Sequence, residues 1–306
     1  MTQPVIETND LSVYYGRNRG IHNLNMTVLP GEVYGFLGPN GAGKTTTLRV
    51  LLDIIRPSAG RAAVFGLDCQ KAGVQIRRRV GYIPGELKLY PQLRADEYFD
   101  MVAAVSGHAV DGAYRRALCD RLDLDPSRPM RTYSRGNKQK VGLVAAFMRR
   151  PDLLILDEPT SGLDPLIQQH VLELVREARA DGRTVCFSSH VLSEVQAVCD
   201  RVGIVRKGEI VATERVEAII RGRFDRLRLR FERMPPPGAF ERAGVAEIDR
   251  AGDWIALEIR QNLNQVLADA VAYGVLELDK DVVSLEEVFM AYYSKDREGR
   301  DEPVAA

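Results

Sequence analysis

The sequence predicts an α/β fold whose mixed sheet is largely parallel and carries its functional side chains where strands end. Two stretches lead to this prediction. Gly38–Thr46 fits the pattern G-x-x-x-x-G-K-[ST], with the apolar run Val33–Leu37 before it and a helical segment after it. A second apolar run, Leu153–Leu156, ends in two carboxylates. Short apolar runs of this kind are typical of buried parallel strands, and ligands bind where such strands end.

The glycine-rich stretch is predicted to bind phosphate groups. Its glycines let backbone N–H groups turn inward around phosphate oxygens, while Lys44 brings a positive charge and the Thr45 hydroxyl suits Mg²⁺. A glycine-rich turn without a ligand is the alternative, and the strand and helix on either side favour the phosphate site. The predicted nucleotide-binding residues here are Asn40, Gly41, Ala42, Gly43, Lys44, Thr45 and Thr46.

Three further side chains follow two strands that we expect to lie near this loop. Asp157 suits Mg²⁺, directly or through water, and Glu158 suits a base that orients an attacking water. His190 comes just after the next predicted strand, Thr184–Ser188, and is predicted to contact a γ-phosphate. A solvated turn and a structural histidine are the ordinary alternatives. The phosphate loop at the same sheet edge favours catalytic roles for Glu158 and His190.

The segment before the phosphate loop is predicted to form an antiparallel strand pair. Its connecting loop contains Tyr14 and Tyr15, either of which could stack on an adenine ring or pack into the core. From about residue 93 to 148 the pattern is helical, which predicts an insert between core strands. Ser134 is a good N-cap and Gly136 allows close backbone approach, yet alone they describe an ordinary helix start.

The part of the chain after residue 222 predicts a small α+β domain. Leu227–Phe231 alternates strictly, so it is predicted to be a strand with one basic face, which we interpret as solvated rather than as a nucleic-acid site. A final helix is predicted from Ser284, and a disordered tail after Lys295. The predicted domains are therefore residues 1–222 and 223–306.

Composition limits the classes of partner. Lys+Arg and Asp+Glu both number 42, so the net charge is zero, which argues against bulk binding to nucleic acid or anionic membrane. Apolar runs such as Val141–Met148 are far shorter than the roughly 20 residues of a membrane helix, so a membrane role requires a separate chain. The four cysteines form no C-x-x-C pair and are predicted to be small buried residues in a reducing compartment.

Over about residues 5–220 these motifs resemble the nucleotide-binding subunit of ABC transporters. Gly38–Thr46 resembles the Walker A motif of that family and Leu153–Glu158 its Walker B motif with the catalytic glutamate. Ser161–Asp164 resembles the D-loop, His190 the switch histidine, and Tyr15 takes the place of the adenine-stacking aromatic residue. The resemblance therefore favours Tyr15 over Tyr14 and implies a P-loop NTPase core.

Two departures from the family pattern concern nucleotide contacts. Ser134-Arg135-Gly136-Asn137 stands where the signature is usually Ser-Gly-Gly-Gln. The Q-loop glutamine has no clear counterpart, because Gly85-Glu86 follows Tyr82-Ile83-Pro84, and Glu86 is a possible substitute. Both variants are similar to bacterial exporter subunits of the drug-, antibiotic- or lipid-efflux type.

The resemblance implies an ATPase that uses ATP and Mg²⁺ and works with transmembrane permease subunits at the cytoplasmic face of the cell membrane. Two copies, or one copy and a paralogue, would close head-to-tail around two ATPs. Ser134 and Gly136 of one chain would then complete the site of the other. One alternative is a soluble ABC ATPase acting on ribosomes or nucleic acid, but no second cassette or long coiled-coil arm is visible. Another is a non-hydrolysing regulatory module, which Glu158 and His190 argue against.

Overall fold

A computed structural model describes residues 3–107, 109–220 and 225–281 of the chain. The chain divides into two compact units, Met1–Thr213 and Glu214–Ala306. This division falls a few residues before the boundary expected from the sequence, and the assignment of domains at 222/223 stays a prediction.

The elements follow one another in the following order. They are β1 Ile6–Tyr15, β2 Asn18–Val28, β3 Val33–Leu37, α1 Lys44–Leu51, β4 Ala59–Val64, β5 Leu67–Asp68, α2 Gly73–Arg78, β6 Val80–Ile83, α3 Ala95–Ser106, α4 Gly112–Arg121, α5 Arg135–Phe147, β7 Leu153–Asp157, α6 Pro165–Ala180, β8 Thr184–Ser189, α7 Leu192–Val198, β9 Arg201–Arg206, β10 Glu209–Arg215, α8 Val216–Ile220, β11 Asp225–Phe231, β12 Val245–Ala251, β13 Trp254–Ile259, α9 Leu263–Ala272 and β14 Val275–Asp281.

The central sheet has the strand order β10-β9-β3-β8-β7-β6. Within it, the pairs β6–β7, β7–β8, β8–β3 and β3–β9 are parallel. Every residue of β3, β7 and β8 is buried, which explains why these strands appear in the sequence as continuous apolar runs. The predicted α/β fold is confirmed, and the three strands lead into the phosphate loop, Glu158 and His190 respectively.

A second sheet, with the order β2-β1-β4-β5, is antiparallel. The predicted strand pair forms its β1 and β2. The third strand, β4, pairs with β1 and ends at Val64. Phe65 has a φ of 55°, a left-handed conformation that ends the strand before it.

The helical insert comprises α3, α4 and α5. Its last helix begins at Arg135, ahead of the apolar run from Val141, because Ser134 caps it: the Asn137 N–H donates to the Ser134 hydroxyl at 3.1 Å. All residues from Gln139 to Phe147 are buried. Within the described residues, no helix combines the length and the apolar character that crossing a membrane requires.

The second unit contains a four-stranded antiparallel sheet, β12-β13-β11-β14, together with α8 and α9. Strand β11 alternates as predicted, with Leu227, Leu229 and Phe231 in a core that also includes Phe240. The helix predicted from Ser284 and the tail after Lys295 lie outside the described residues.

Candidate functional site

The phosphate loop connects β3 to α1 and opens onto a cavity of about 260 Å³. Gly41 and Gly43 have φ of 81° and 109°, values that residues with a side chain rarely adopt. A Cβ on Gly43 would also lie 2.6 Å from the Ile21 side chain, so the loop requires glycine at this position. The cavity is lined by Tyr15, Gly20, Pro39, Asn40, Gly41, Gly43, Lys44, Thr45, Thr46 and Glu158.

Lys44 places a buried ammonium group at this cavity. Its Nζ donates to the Gly38 carbonyl at 2.5 Å and to the Pro39 carbonyl at 3.3 Å, and it lies 3.2 Å from the Glu158 Oε1 atom. The side chain is only 6% exposed, so its charge is poorly solvated. A buried cation of this kind is stabilised by anionic oxygens, which the phosphates of a nucleotide would provide.

Asp157 is fully buried at the end of β7 and accepts hydrogen bonds from two directions. The Thr45 hydroxyl donates to its Oδ2 at 2.7 Å, and the Ser188 hydroxyl donates to its Oδ1 at 2.7 Å. The structure thus brings together the two predicted metal ligands, Thr45 and Asp157. Ser188 was absent from the predicted site residues. The only signal for it in the sequence is a hydroxyl near the end of a buried strand.

The pair formed by Thr45 and Asp157 suits Mg²⁺. Both groups offer hard oxygen ligands, and their side-chain oxygens are already adjacent. Among the described residues there is no cluster of three or more His, Cys, Asp and Glu side chains that could hold a metal alone. Mg²⁺ usually takes one or two protein oxygens and completes its shell with phosphate and water oxygens, so this small donor set fits it.

Glu158, which lines the cavity, forms a hydrogen-bonded pair with His190. The His190 Nδ1 atom lies 2.7 Å from the Glu158 Oε2 atom, while Oε1 faces Lys44. The His190 side chain is half exposed and Glu158 is 17% exposed, so both can meet a ligand or water. The two predicted catalytic residues therefore lie together beside the phosphate loop.

Tyr15, and not Tyr14, lies at the cavity. The Tyr15 hydroxyl lies 3.4 Å from the Thr46 hydroxyl and the side chain is half exposed, which leaves its ring accessible to a ligand. Tyr14 pairs with His22 instead, with 2.8 Å between its hydroxyl and the histidine Nδ1 atom. An adenine-stacking role for Tyr15 stays a prediction, and the position of its ring is compatible with it.

Ser134 and Gly136 do not line the cavity around Lys44. Ser134 is exposed at the first turn of α5, and Gly136 lies against the turn after Glu158, where an added Cβ would be 2.9 Å from the Gly162 carbonyl oxygen. Arg135 approaches the same turn, with its Nη2 atom 3.4 Å from the Ser161 hydroxyl. Neither of these two predicted nucleotide ligands contacts the cavity around Lys44 within its own chain, and their role stays a prediction.

Gly85-Glu86, the segment that stands where a Q-loop glutamine is expected, contacts Asp157 through its backbone. The Gly85 N–H donates to the Asp157 Oδ2 atom at 3.3 Å, and a Cβ on Gly85 would lie 3.0 Å from that same atom. Glu86 is exposed and does not line the cavity around Lys44. A glycine therefore lets the chain approach Asp157 closely, while Glu86 remains away from the site.

Comparison with known proteins agrees with this arrangement. The model of the ABC transporter family matches residues 21–161. An uncharacterized ABC transporter ATP-binding protein of Nostoc is 38% identical over an alignment 234 residues long, which covers 72% of this chain and 69% of that protein. The bacitracin transport ATP-binding protein of Bacillus licheniformis is 38% identical over 209 residues, or 68% of each chain.

A solved structure described as the ATP-binding subunit of an ABC transporter is also similar. It is 31% identical to this chain, and the superposition has a TM-score of 0.65 and covers 71% of this chain and 92% of the other. The phosphate loop, Asp157 and Glu158 all lie within the residues that the family model matches. This chain belongs to the family of ABC transporter ATP-binding proteins.

Proposed function

We propose that this chain binds and hydrolyses ATP and thereby powers export of a substrate by a membrane ABC transporter. One observation carries the proposal: contacts beside the phosphate loop bring together three distant parts of the sequence. Glu158 lies against both Lys44 and His190, and its neighbour Asp157 accepts a hydrogen bond from Thr45. Phosphoryl transfer depends mainly on positioning and on stabilisation of charge, and these side chains supply both.

Each residue has a distinct role in this proposal. Lys44 and the backbone N–H groups of residues 40–46 hold the phosphates, and Tyr15 stacks on the adenine. Thr45 and Asp157 hold Mg²⁺, which offsets the charge on the phosphate oxygens. Glu158 orients the attacking water and accepts its proton, and His190 keeps the Glu158 carboxylate in place and contacts the γ-phosphate.

Export is favoured over action on ribosomes or nucleic acid. One of the relatives described above is named for bacitracin transport, and the sequence is similar to exporter subunits. The basic face of β11 is engaged within its own sheet. The Arg230 Nη2 atom lies 2.9 Å from the Glu277 Oε2 atom, and the Arg228 guanidinium lies 5.0 Å from the centre of the Trp254 ring. We therefore propose no nucleic-acid partner.

The proposed assembly contains two ATP-binding chains, identical or paralogous, and transmembrane permease subunits. It lies at the cytoplasmic face of the cell membrane. The exposed Ser134 at the start of α5 supports the two-chain arrangement, because a helix N-terminus attracts anions and here lies outside its own chain's cavity.

Purification from the native host tests the class of partner. The tagged full-length chain is recovered from detergent-solubilised membranes and, in parallel, from the ribosome and nucleoid fractions. We expect a membrane protein to copurify in a fixed ratio and ATPase activity to follow that complex. Recovery with ribosomes or DNA, and without a membrane protein, would contradict the export function.

A mixture of two inactive variants tests the shared site. One variant has to block the start of α5 without disturbing its own chain. A substitution of Gly136, such as Gly136→Glu, cannot do this because any side chain there would clash with the Gly162 carbonyl oxygen. Ser134→Asp keeps the N-cap of α5 but places a carboxylate where a phosphate of the ATP bound to the second chain would lie. Its partner in the mixture is Lys44→Ala, and Ser134→Asn is the uncharged control.

The mixed dimer has one wholly damaged site and one intact site, formed by Lys44 of the first variant and Ser134 of the second. We expect it to occlude about one nucleotide per dimer, because the intact site keeps both Lys44 and Ser134 and substitutions confined to the other site leave it unaffected. Cross-linking establishes that mixed dimers form. Cross-linked mixed dimers whose intact site stays empty at saturating ATP would contradict the shared site.

A further inference from the structure

We propose that Gln139 is a positioning residue for hydrolysis, because its side-chain amide holds the backbone that carries Glu158. The inference rests on the proposed function, in which Glu158 orients the attacking water. Gln139 lies on α5 and is 9% exposed. Its Nε2 atom donates to the Pro159 carbonyl at 3.0 Å and, more weakly, to the Glu158 carbonyl at 3.4 Å. Gln139 does not line the cavity around Lys44, so it acts through Glu158.

The backbone at Glu158 needs to be held. Its φ is 51°, in the left-handed region that non-glycine residues seldom adopt. It also precedes Pro159, and a residue before proline prefers an extended conformation because of contacts with the proline ring. Such a conformation persists only where the surrounding structure imposes it, and relaxation would move the Glu158 carboxylate.

Contacts on both sides impose this conformation. The Glu158 N–H donates to the Ser188 carbonyl of β8 at 3.1 Å. On the other side, the ring of Pro159 fixes its own φ, so ψ is the remaining backbone freedom of that residue. Gln139 binds the Pro159 carbonyl and thereby restricts that rotation. Glu158 is thus held between β8 and α5 with its carboxylate directed at Lys44 and His190.

The helix that supplies Gln139 is the one that begins beside Ser134. Its first turn also contacts the turn after Glu158, through Arg135 on Ser161 and through the close approach of Gly136 to Gly162. A second chain's nucleotide at the start of α5 would therefore be linked by direct contacts to Glu158 of the first chain. Of these three residues of α5, Gln139 is the one that bonds to the backbone of Glu158 and of its neighbour Pro159.

Gln139→Met in the full-length chain removes the amide donor while keeping the length of the side chain. We expect kcat for ATP hydrolysis to fall by about tenfold or more, up to the 10²–10⁴ that loss of a general base costs. The KM and the dissociation constant for ATP should stay within about twofold, because the phosphate loop is untouched. Gln139→Glu, which replaces the donor by an acceptor, is expected to show the same loss of kcat.

Gln168→Met is the matched control. The Gln168 amide donates to the Leu163 and Thr160 carbonyls at 3.1 and 3.5 Å, so it supports the same turn from α6 instead of α5. We expect its kcat to remain within about twofold of the unmodified chain. Retained ATP affinity in each variant shows that the chain has folded.

A double variant, Gln139→Met with Glu158→Gln, distinguishes an effect on the position of Glu158 from a general loss of rigidity in the site. If Gln139 acts through Glu158, then Gln139→Met adds nothing to the loss caused by Glu158→Gln. Three results would each overturn the role of Gln139 while leaving the proposed function in place. They are losses of kcat that multiply in the double variant, a loss of kcat in Gln168→Met equal to that in Gln139→Met, and an unchanged kcat in Gln139→Met. Normal turnover in Glu158→Gln alone would overturn both.

Discussion

Replacing Glu158 by Gln should separate ATP binding from hydrolysis. The carboxylate holds two contacts, 3.2 Å to the Lys44 Nζ atom and 2.7 Å to the His190 Nδ1 atom, and an amide of the same shape can keep both neighbours in place. The substitution removes the base, which is worth about 10²–10⁴ in rate, or about 2.7–5.4 kcal/mol of barrier. We therefore expect a loss of turnover of that size.

Nucleotide affinity should be kept or improved by the same change. At 3.2 Å the attraction between Lys44 and Glu158 is about 5 kcal/mol at an effective dielectric constant of about 20, before desolvation is subtracted. The phosphates of ATP compete with that attraction, and the neutral amide relieves the competition. Calorimetric titration with ATP and single-turnover hydrolysis measure the two effects separately.

A nearby carboxylate provides the control for Glu158→Gln. Glu194 is buried and accepts a hydrogen bond from the Ser189 hydroxyl at 2.7 Å, but it does not line the cavity. Glu194→Gln should therefore change turnover by about threefold at most. Near-normal turnover in Glu158→Gln would remove Glu158 from the mechanism, and ATP affinity reduced more than about tenfold would mean that Glu158 instead shapes the binding site.

Four further outcomes are expected. Lys44→Ala should weaken ATP binding by more than about tenfold in calorimetry, and unchanged affinity would contradict the assignment of the phosphate loop. Ser188→Ala leaves a buried oxygen of Asp157 without its donor, so denaturant titration should show a loss of about 1–3 kcal/mol, and turnover should need more Mg²⁺. Burial raises the pKa of the Cys69 and Cys186 thiols to about 12, that of Cys119 to about 11 and that of Cys199 well above its usual value, so alkylation at pH 8 should label these thiols only after unfolding. A chain ending at residue 222 keeps β10 whole and should still bind ATP, and loss of binding in a folded chain of this length would assign the second unit a part in the site.

The motifs of the site were predictable because each depends on a short continuous segment. The phosphate loop needs glycines at fixed positions, and β7 needs four apolar residues before its carboxylates, so pattern and function coincide in the sequence. Contacts set by strand pairing were not predictable. Ser188 meets Asp157 because the parallel register of β7 and β8 places these two residues side by side, and sequence alone does not fix that register.

The choice between Tyr14 and Tyr15 shows the same limit. Both lie at the end of β1, and successive side chains of a strand point to opposite sides, so one of them had to face away from the phosphate loop. The pairing of β1 with β2 also shifts register between Val13 and Tyr14, so the position of either tyrosine cannot be extrapolated from the pairing of the residues before it. A bulge of this kind leaves no clear trace in the sequence, and the resemblance to ABC transporter subunits, not the residue pattern, favoured Tyr15.

The strand order explains why this site is formed by the core as a whole. In the central sheet β3 pairs with β8 and β8 pairs with β7, so the loops that follow these strands meet at one edge although Lys44, Asp157 and His190 are distant in sequence. Glu158 depends further on α5, which arrives from the helical insert. Each catalytic distance is therefore set by pairing or packing between segments that are remote in the chain. A substitution that shifts β8 or α5 by a fraction of an ångström should impair hydrolysis before it impairs ATP binding, because binding depends mainly on the local geometry of a single loop.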